Sequence, residues 1–265
     1  VTKLVWDQSG AKVFEAGLDR GVVYFADEPG VAWNGLVSLD ESDRMGYESY
    51  IFDGEKIGNL PLASGFSGSL TAFTYPPEFL KAVGSSINDD ISGLQLMNQK
   101  GRVSFGLSYR SLIGDDIDGI NLGYKIHILY NLTAVADDID YETLSDDIDP
   151  LEFKWSVSGR METLAGYKPT AHVIVDSRYL SEVRMDRLEE ILYGTETSEP
   201  WLPDLATLYE MLNYAYLVTI VDNGNGTWTA MGPSELITML DATTFEIESD
   251  GVTIIDPDTY TIESA

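Results

Sequence analysis

Carboxylates dominate the chemistry available to this chain. It carries 44 Asp and Glu against 16 Lys and Arg, with two histidines and no cysteine. The tetrapeptide DDID occurs at 115–118, 137–140 and 146–149. Clustered carboxylate oxygens suit hard cations such as Ca²⁺. None of the three runs has the D-x-[DN]-x-[DN]-G spacing that aims successive ligands at one ion, so solvated loops without metal are expected. A glycosidase needs two carboxyls at a set separation, one with a raised pKa, and nearness in sequence says nothing of either. His127 and His172 fall in strand-like segments with no companion at metal-ligand spacing, so both read as packed or surface side chains. The lack of cysteine removes thiol catalysis, disulfides and Cys-ligated metals. Nucleophile elbows, Walker loops and Rossmann fingerprints are missing. The expectation is a protein with no catalytic residue, no metal and no cofactor.

The formal net charge of −28 disfavours binding to nucleic acid or anionic lipid, which needs clustered cations. No apolar run approaches the ~20 residues of a membrane span, and the start, VTKLVWDQSG, lacks a signal-peptide pattern. The chain is therefore expected to be soluble and made in a cytoplasm. Hydrophobic residues at 44%, with 15 Tyr, 9 Phe and 5 Trp, can supply a sizeable core, and 24 Gly with 10 Pro suit many turns.

Alternation assigns most of the chain to strands. From Lys100 to Thr133 two long strands flank the turn GDDIDG, whose Asp side chains bond nearby backbone and whose Gly accepts positive φ. Val103, Phe105, Leu107 and Tyr109 share one face of the first strand, opposite Arg102, Ser104, Ser108 and Arg110. In the second, Leu122, Tyr124, Ile126, Ile128, Tyr130 and Leu132 share a face, with Leu129 as the apolar intruder. Upstream, residues 1–36 hold short strand-like pieces and two candidate core tryptophans, Trp6 and Trp33. Residues 47–53 and 65–73 read as a strand pair around a long loop, GEKIGNLPLAS, whose Ile57, Leu60 and Leu62 are apolar for an exposed segment. Pro77 can start a helical turn through Ala82. Strands follow at 151–158 and 170–176. Ser181 reads as the N-cap of a helix to about Tyr193 with Gly194 beyond it, and a second helix starts near Pro203, burying Leu205, Leu208 and Leu212. The remainder is again β, with an Asn-Gly hairpin between YLVTIVD and TWTAM.

Motifs along these elements resemble the major tail tube protein of long-tailed bacteriophages (siphoviruses) of Gram-positive and actinobacterial hosts. They are FGLSYR (105–110), GDD (114–116) and GYKIH (123–127) in one hairpin, and Trp6, Asp7, Gly10, Glu15, Gly17, 21–24 and AWNGL (32–36) before it. Further matches are YPPEF (75–79), the F-x-W strand at 153–155, and Gly166 with KPTA (168–171). The last are DNGNGTWTA with Gly232 and Pro233, then MLDATTFEI and DPDTY. GRMETLAG departs from the Pro-rich connection of the family pattern.

The resemblance implies a mainly β fold, an antiparallel β-sandwich or barrel with one or two flanking α-helices. The whole chain, 1–265, would form a single tail tube domain, with a helical segment near 181–213 and a C-terminal β extension at 214–265. It implies a structural virion protein of the tail, assembled in the host cytoplasm into stacked, hexameric rings that form the DNA-ejection conduit. Implied partners are further copies of the chain, the tape measure protein, the tail terminator and the distal tail protein, while genomic DNA passes through the lumen without specific binding. Strands lining such a tube bury their apolar face, which leaves Ser67, Ser69, Thr71, Ser104 and Ser108 for the lumen, with acids expected to pair with or outnumber Arg102 and Arg110. Ile57, Leu60 and Leu62 would belong to a ring-stacking loop. A calcium- or carbohydrate-binding β-sandwich module is the alternative, and a tube component of a secretion or contractile system shares the fold by analogy.

Overall fold

The computed structural model describes residues 4–6, 8–42, 47–52, 55–61, 65–88, 91, 93–141, 143 and 150–213, followed by strand segments between 217 and 263; in 47–52, 55–61 and from 213 onward it describes backbone alone. The chain divides into two compact units, Val1–Leu205 and Ala206–Ala265.

The first unit is built on an antiparallel sheet. In chain order its elements are β1 (Phe14–Tyr24), β2 (Val31–Ala32), β3 (Leu36–Glu41), β4 (Tyr47–Phe52), β5 (Glu55–Pro61), β6 (Ser67–Ala72), a 3₁₀ turn (Pro77–Lys81), β7 (Ser86–Ile87), β8 (Gln95–Leu96), β9 (Phe105–Asp115), β10 (Gly119–Ala136), β11 (Phe153–Gly159), β12 (His172–Asp176) and α1 (Glu182–Tyr193). Eight strands form one sheet in the order β2-β1-β9-β10-β11-β6-β3, with β12 also on β10. The mainly β, antiparallel sandwich or barrel class expected from the sequence is what forms.

The β9–β10 hairpin organises the unit as its alternation predicts. Its turn is held by Asp115, whose Oδ1 accepts the N–H groups of Ile117 at 2.9 Å and Asp118 at 2.6 Å, and closes on Gly119 at φ 62°. At one edge β10 pairs first with β12, over Lys125–Leu129, and then with β11, over Leu132–Ala136. The change of partner coincides with a register shift against β9 between Leu129 and Leu132, with Asn131 at φ 50°. This bulge corrects the single apolar face expected for β10. Leu129, Leu132 and Ala134 join the main core, whereas Ile126, Ile128 and Tyr130 are buried on the opposite face.

That opposite face is covered by α1. Tyr24 donates its hydroxyl to the Leu192 carbonyl at 2.7 Å, Arg20 pairs with Glu189 at 2.8 Å, and the Trp201 N–H reaches the Ile191 carbonyl at 2.9 Å. α1 occupies the expected span; Ser181 stands at its N-cap without a side-chain hydrogen bond, and Gly194, at φ 77°, ends it. The main core lies on the other side of the sheet. Phe79 is fully buried there, its ring centroid 4.4 Å from Trp33, 5.1 Å from Trp155 and 5.2 Å from Phe105. Trp33 is a core residue as expected, but Trp6 is 73% exposed.

Residues 47–73 depart from the reading of one strand pair around a loop. β4 pairs with β5, from Tyr47↔Pro61 to Phe52↔Glu55, and β6 lies between β3 and β11. Where the sequence predicts a loop there is largely a strand: Ile57 and Leu60 sit in β5, while Leu62 lies outside the described residues.

Helix α2 (Leu205–Asn213) spans the boundary between the units, with Leu205 and Leu208 buried and Leu212 half-buried. The second unit continues with β13 (Leu217–Asp222), β14 (Trp228–Met231), β15 (Ile237–Met239), β16 (Phe245–Ile247), β17 (Thr253–Ile254) and β18 (Thr259–Glu263). The expected β13–β14 hairpin is present, with Asp222 opposite Trp228, in a sheet ordered β14-β13-β18-β17.

Candidate functional site

Register places one set of small polar side chains together. Ser67, Ser69 and Thr71 on β6 stand opposite Ser158, Ser156 and Lys154 on β11, and Ser69 and Thr71 stand opposite Asp40 and Ser38 on β3. Thr133 and Val135 of β10 extend the row beside Ser158 and Ser156. Because strand side chains alternate, the residues between them, Leu70, Ala72, Trp155, Val157 and Ala134, point into the core. The result is a four-strand face of hydroxyls backed by aromatic packing. Thr133 Oγ1 and Ser158 Oγ are 3.0 Å apart, and Ser156 donates to Asp137 at 3.1 Å. Its cation Lys154 pairs with Glu152 at 3.2 Å, while Asp40 and Asp137 add negative charge.

The structure sorts the five residues expected to face a lumen. Ser69 is half-exposed on this face. Ser67 and Thr71 belong to the same face but are buried, at 8% and 6% exposure, so neither hydroxyl is open to a channel. Ser108 is a correction: it is wholly buried beneath α1, 3.0 Å from the Tyr24 hydroxyl. β9 alternates as its sequence predicts, but the face opposite the main core is covered by a helix from 74 residues downstream, which local pattern cannot show. Ser104 is exposed, and it lines a cleft of about 590 Å³ with Tyr130, Glu162, Trp201 and Asp204, away from the β6 row. Arg110 is paired, as expected of it, through two bonds to Asp19 at 2.8 and 2.7 Å, and lies over the Tyr124 ring on the helix side. The bonds from Arg110 hold Asp19 below the usual carboxylate range.

A second constellation, which sequence spacing missed, lies at the end of the main core. Tyr109 and His127 are cross-strand partners on β9 and β10 with stacked rings 4.5 Å apart, and His172, on β12, stacks on His127 at 5.4 Å. His127 Nδ1 faces His172 Nε2 at 3.2 Å. The other nitrogen of His127 lies 3.0 Å from Ser111 Oγ and 3.4 Å from Glu15 Oε1. The other nitrogen of His172 lies 3.6 Å from Glu41 Oε2, and Tyr109 donates to Glu41 Oε1 at 2.7 Å. Burial lowers the pKa of both histidines, with nearby carboxylates partly offsetting it. At Glu15 burial pushes the pKa up, but hydrogen bonds from Lys125 and Ser111 together with the nearby positive charge of Lys125 leave it lowered. The chain separation of 45 residues between the imidazoles explains why no motif announced them.

The DDID run at 115–118 is occupied by its own backbone: Asp115 caps the hairpin turn and Asp116 accepts the Gly10 N–H at 2.9 Å. The run at 146–149 lies outside the described residues. No helix among the described residues is long and apolar enough to cross a membrane.

No protein-family model matches the chain, and no curated protein matches it. Among solved structures, it is similar to a chain of the anti-feeding prophage (AFP) baseplate, determined by cryo-electron microscopy with sixfold symmetrisation. The match has 11% identity and a TM-score of 0.30, covering 66% of this chain and 97% of the other. At that score the likeness carries no argument about function.

Proposed function

We propose that this chain is a structural subunit of a siphovirus tail tube, assembling into stacked, hexameric rings that conduct DNA. The observation that carries this reading is the hydroxyl face across β3, β6, β11 and β10. Ser69, Thr133, Ser156 and Ser158 are its accessible hydroxyls, its Lys154 is paired, and the aromatic core backs it. A wall against a duplex carrying one charge per ~1.7 Å should offer few cations to hold it, and a chain of net charge −28 satisfies that demand. The sequence resemblance supports the same reading, since its densest motifs, 105–110 and 123–127, fall in the two central strands β9 and β10. In this proposal the role is structural rather than catalytic. The β4–β5 hairpin, with Ile57 and Leu60, serves ring-to-ring contact, and ring closure pairs strand edges that would otherwise invite aggregation. The tape measure protein, tail terminator and distal tail protein are the partners, and the site of action is the virion tail.

Negative-stain electron microscopy of the purified protein tests the proposal. Annular particles of sixfold outline, or tubes built from them, are the expected result. A monodisperse monomer at concentrations up to the millimolar range, especially one that binds glycans or Ca²⁺, would replace it with the binding-module reading.

A further inference from the structure

We propose that Glu41, His127 and His172 form a binding site for a first-row divalent ion of the Zn²⁺ class, which pins the end of β3 to β10 and β12. Among the described residues, this is the set of His, Asp and Glu side chains whose ligand atoms lie close enough to share an ion, all within 4.8 Å of one another. The inference is independent of ring assembly.

The spacing of the two imidazoles carries the argument. Zn–N bonds of ~2.0–2.1 Å at a tetrahedral centre place the two nitrogens about 3.3 Å apart. His127 Nδ1 and His172 Nε2 are 3.2 Å apart. Without an ion, one of these nitrogens must donate a proton to the other. With an ion, both present lone pairs to it, as neutral imidazoles do.

The surrounding groups are those that tune a metal ligand. His127 Nε2 is left to donate to Ser111 and Glu15, which fixes its tautomer with Nδ1 free, the carboxylate–histidine arrangement typical of metal sites. Tyr109 holds Oε1 of Glu41, and Oε2 lies 3.6 Å from His172 Nδ1, the ring nitrogen that does not face His127, with Glu41 still within the 4.8 Å that the three residues share. A cleft of about 390 Å³, bounded by Glu15, Leu18, Val37, Tyr109 and Ser111, opens beside His127. Two nitrogens and one carboxylate oxygen select a borderline ion over Ca²⁺ or Mg²⁺, which prefer all-oxygen shells, and leave a fourth position for water.

The test uses the full chain, stripped of metal with a chelator and dialysed. Titration with ZnCl₂ by calorimetry should show one equivalent bound, the melting temperature should rise with Zn²⁺ concentration, and CaCl₂ should do neither. Co²⁺ in place of Zn²⁺ should give the intense visible bands of a four-coordinate ion rather than the weak ones of the hydrated ion. Glu41→Gln still accepts the Tyr109 hydrogen bond through its amide oxygen but loses the charged ligand. It should bind Zn²⁺ at least ~10–100-fold more weakly, the loss usual even for groups one step behind a ligand. His172→Gln should do the same, and if it fails to fold, Glu41→Gln alone decides. Paired Asp137→Asn and Asp138→Asn substitutions should leave binding unchanged. Absence of Zn²⁺ binding, or binding that survives Glu41→Gln, or several equivalents lost with the Asp137 and Asp138 changes, would overturn the site.

Discussion

Replacing Tyr24 by Phe removes one oxygen and strands two partners. Tyr24 is 3% exposed, and its single phenolic proton goes to the Leu192 carbonyl at 2.7 Å. The Ser108 hydroxyl, 3.0 Å away, is therefore the donor in its own contact with Tyr24. Leu192 lies in the last turn of α1, where carbonyls have no intrahelical partner, so the Tyr24 hydroxyl acts as a side-chain cap joining the helix to the sheet. Each buried polar group left without a partner costs about 1–3 kcal/mol. Tyr24→Phe leaves both the Ser108 hydroxyl and the Leu192 carbonyl unpaired, which sums to about 2–6 kcal/mol. Ser108→Ala leaves the Tyr24 to Leu192 bond intact and should cost only the net worth of one hydrogen bond, about 0.5–1.5 kcal/mol. In the double variant no serine hydroxyl remains to be stranded, so the pair should cost less than the sum of the singles by at least about 1 kcal/mol.

Urea unfolding followed by tryptophan fluorescence reads this cycle, because Trp33 and Trp155 are buried in the same unit as the bond. The expected order of midpoints is wild type, then Ser108→Ala, then the double variant, then Tyr24→Phe. Equal losses from the two single variants, or a Tyr24→Phe change under about 0.5 kcal/mol, would refute the cap and reopen the placement of Ser108 beneath α1.

Four further outcomes are expected. Phe79→Ala removes the ring at the centre of the aromatic cluster and should cost about 3–5 kcal/mol, read as a lower urea midpoint with unchanged m. Asp19, whose folded pKa is held below its unfolded value by Arg110, contributes stability that is full above the unfolded pKa near ~3.9 and is lost as pH falls through the lower folded pKa. Asp19→Asn should therefore flatten the acid limb of the stability profile while reducing stability at neutral pH, and an unchanged limb would contradict the pairing. Trimming β4–β5 to a tight turn should leave a folded subunit that no longer polymerises, measured by sedimentation and microscopy; tubes of ordinary length would remove the hairpin from the stacking contact. Lys at Ser69 and Ser156 should give tubes that assemble but release DNA slowly, more so at low salt where the ~8 Å screening length of physiological salt is extended.

What the sequence made legible was whatever depends on near neighbours. The β9–β10 hairpin, the span of α1 and the hydroxyl alternation of β6 all follow from periods of two or 3.6 residues and from turn chemistry, and all three are present. Two departures from the sequence pattern share a physical cause, which is that the partner lies far along the chain. Ser108 reads as polar and therefore outward, yet α1 covers it; Ile128 and Leu129 look like a broken alternation, yet both faces of β10 are buried there. The bulge at Asn131, a residue type that tolerates positive φ, was the local sign that β10 changes both face and partner. The same long-range pairing assembles the imidazole cluster. With His127 opposite Ile174, antiparallel register sets His172 one diagonal step away on the same face, and curvature of the sheet brings Glu41 across from β3. Two histidines that share a face of adjacent strands can meet whatever their separation in sequence. The search for paired ligands therefore has to follow strand register, and motif spacing becomes sufficient only where both ligands share one helix or one turn.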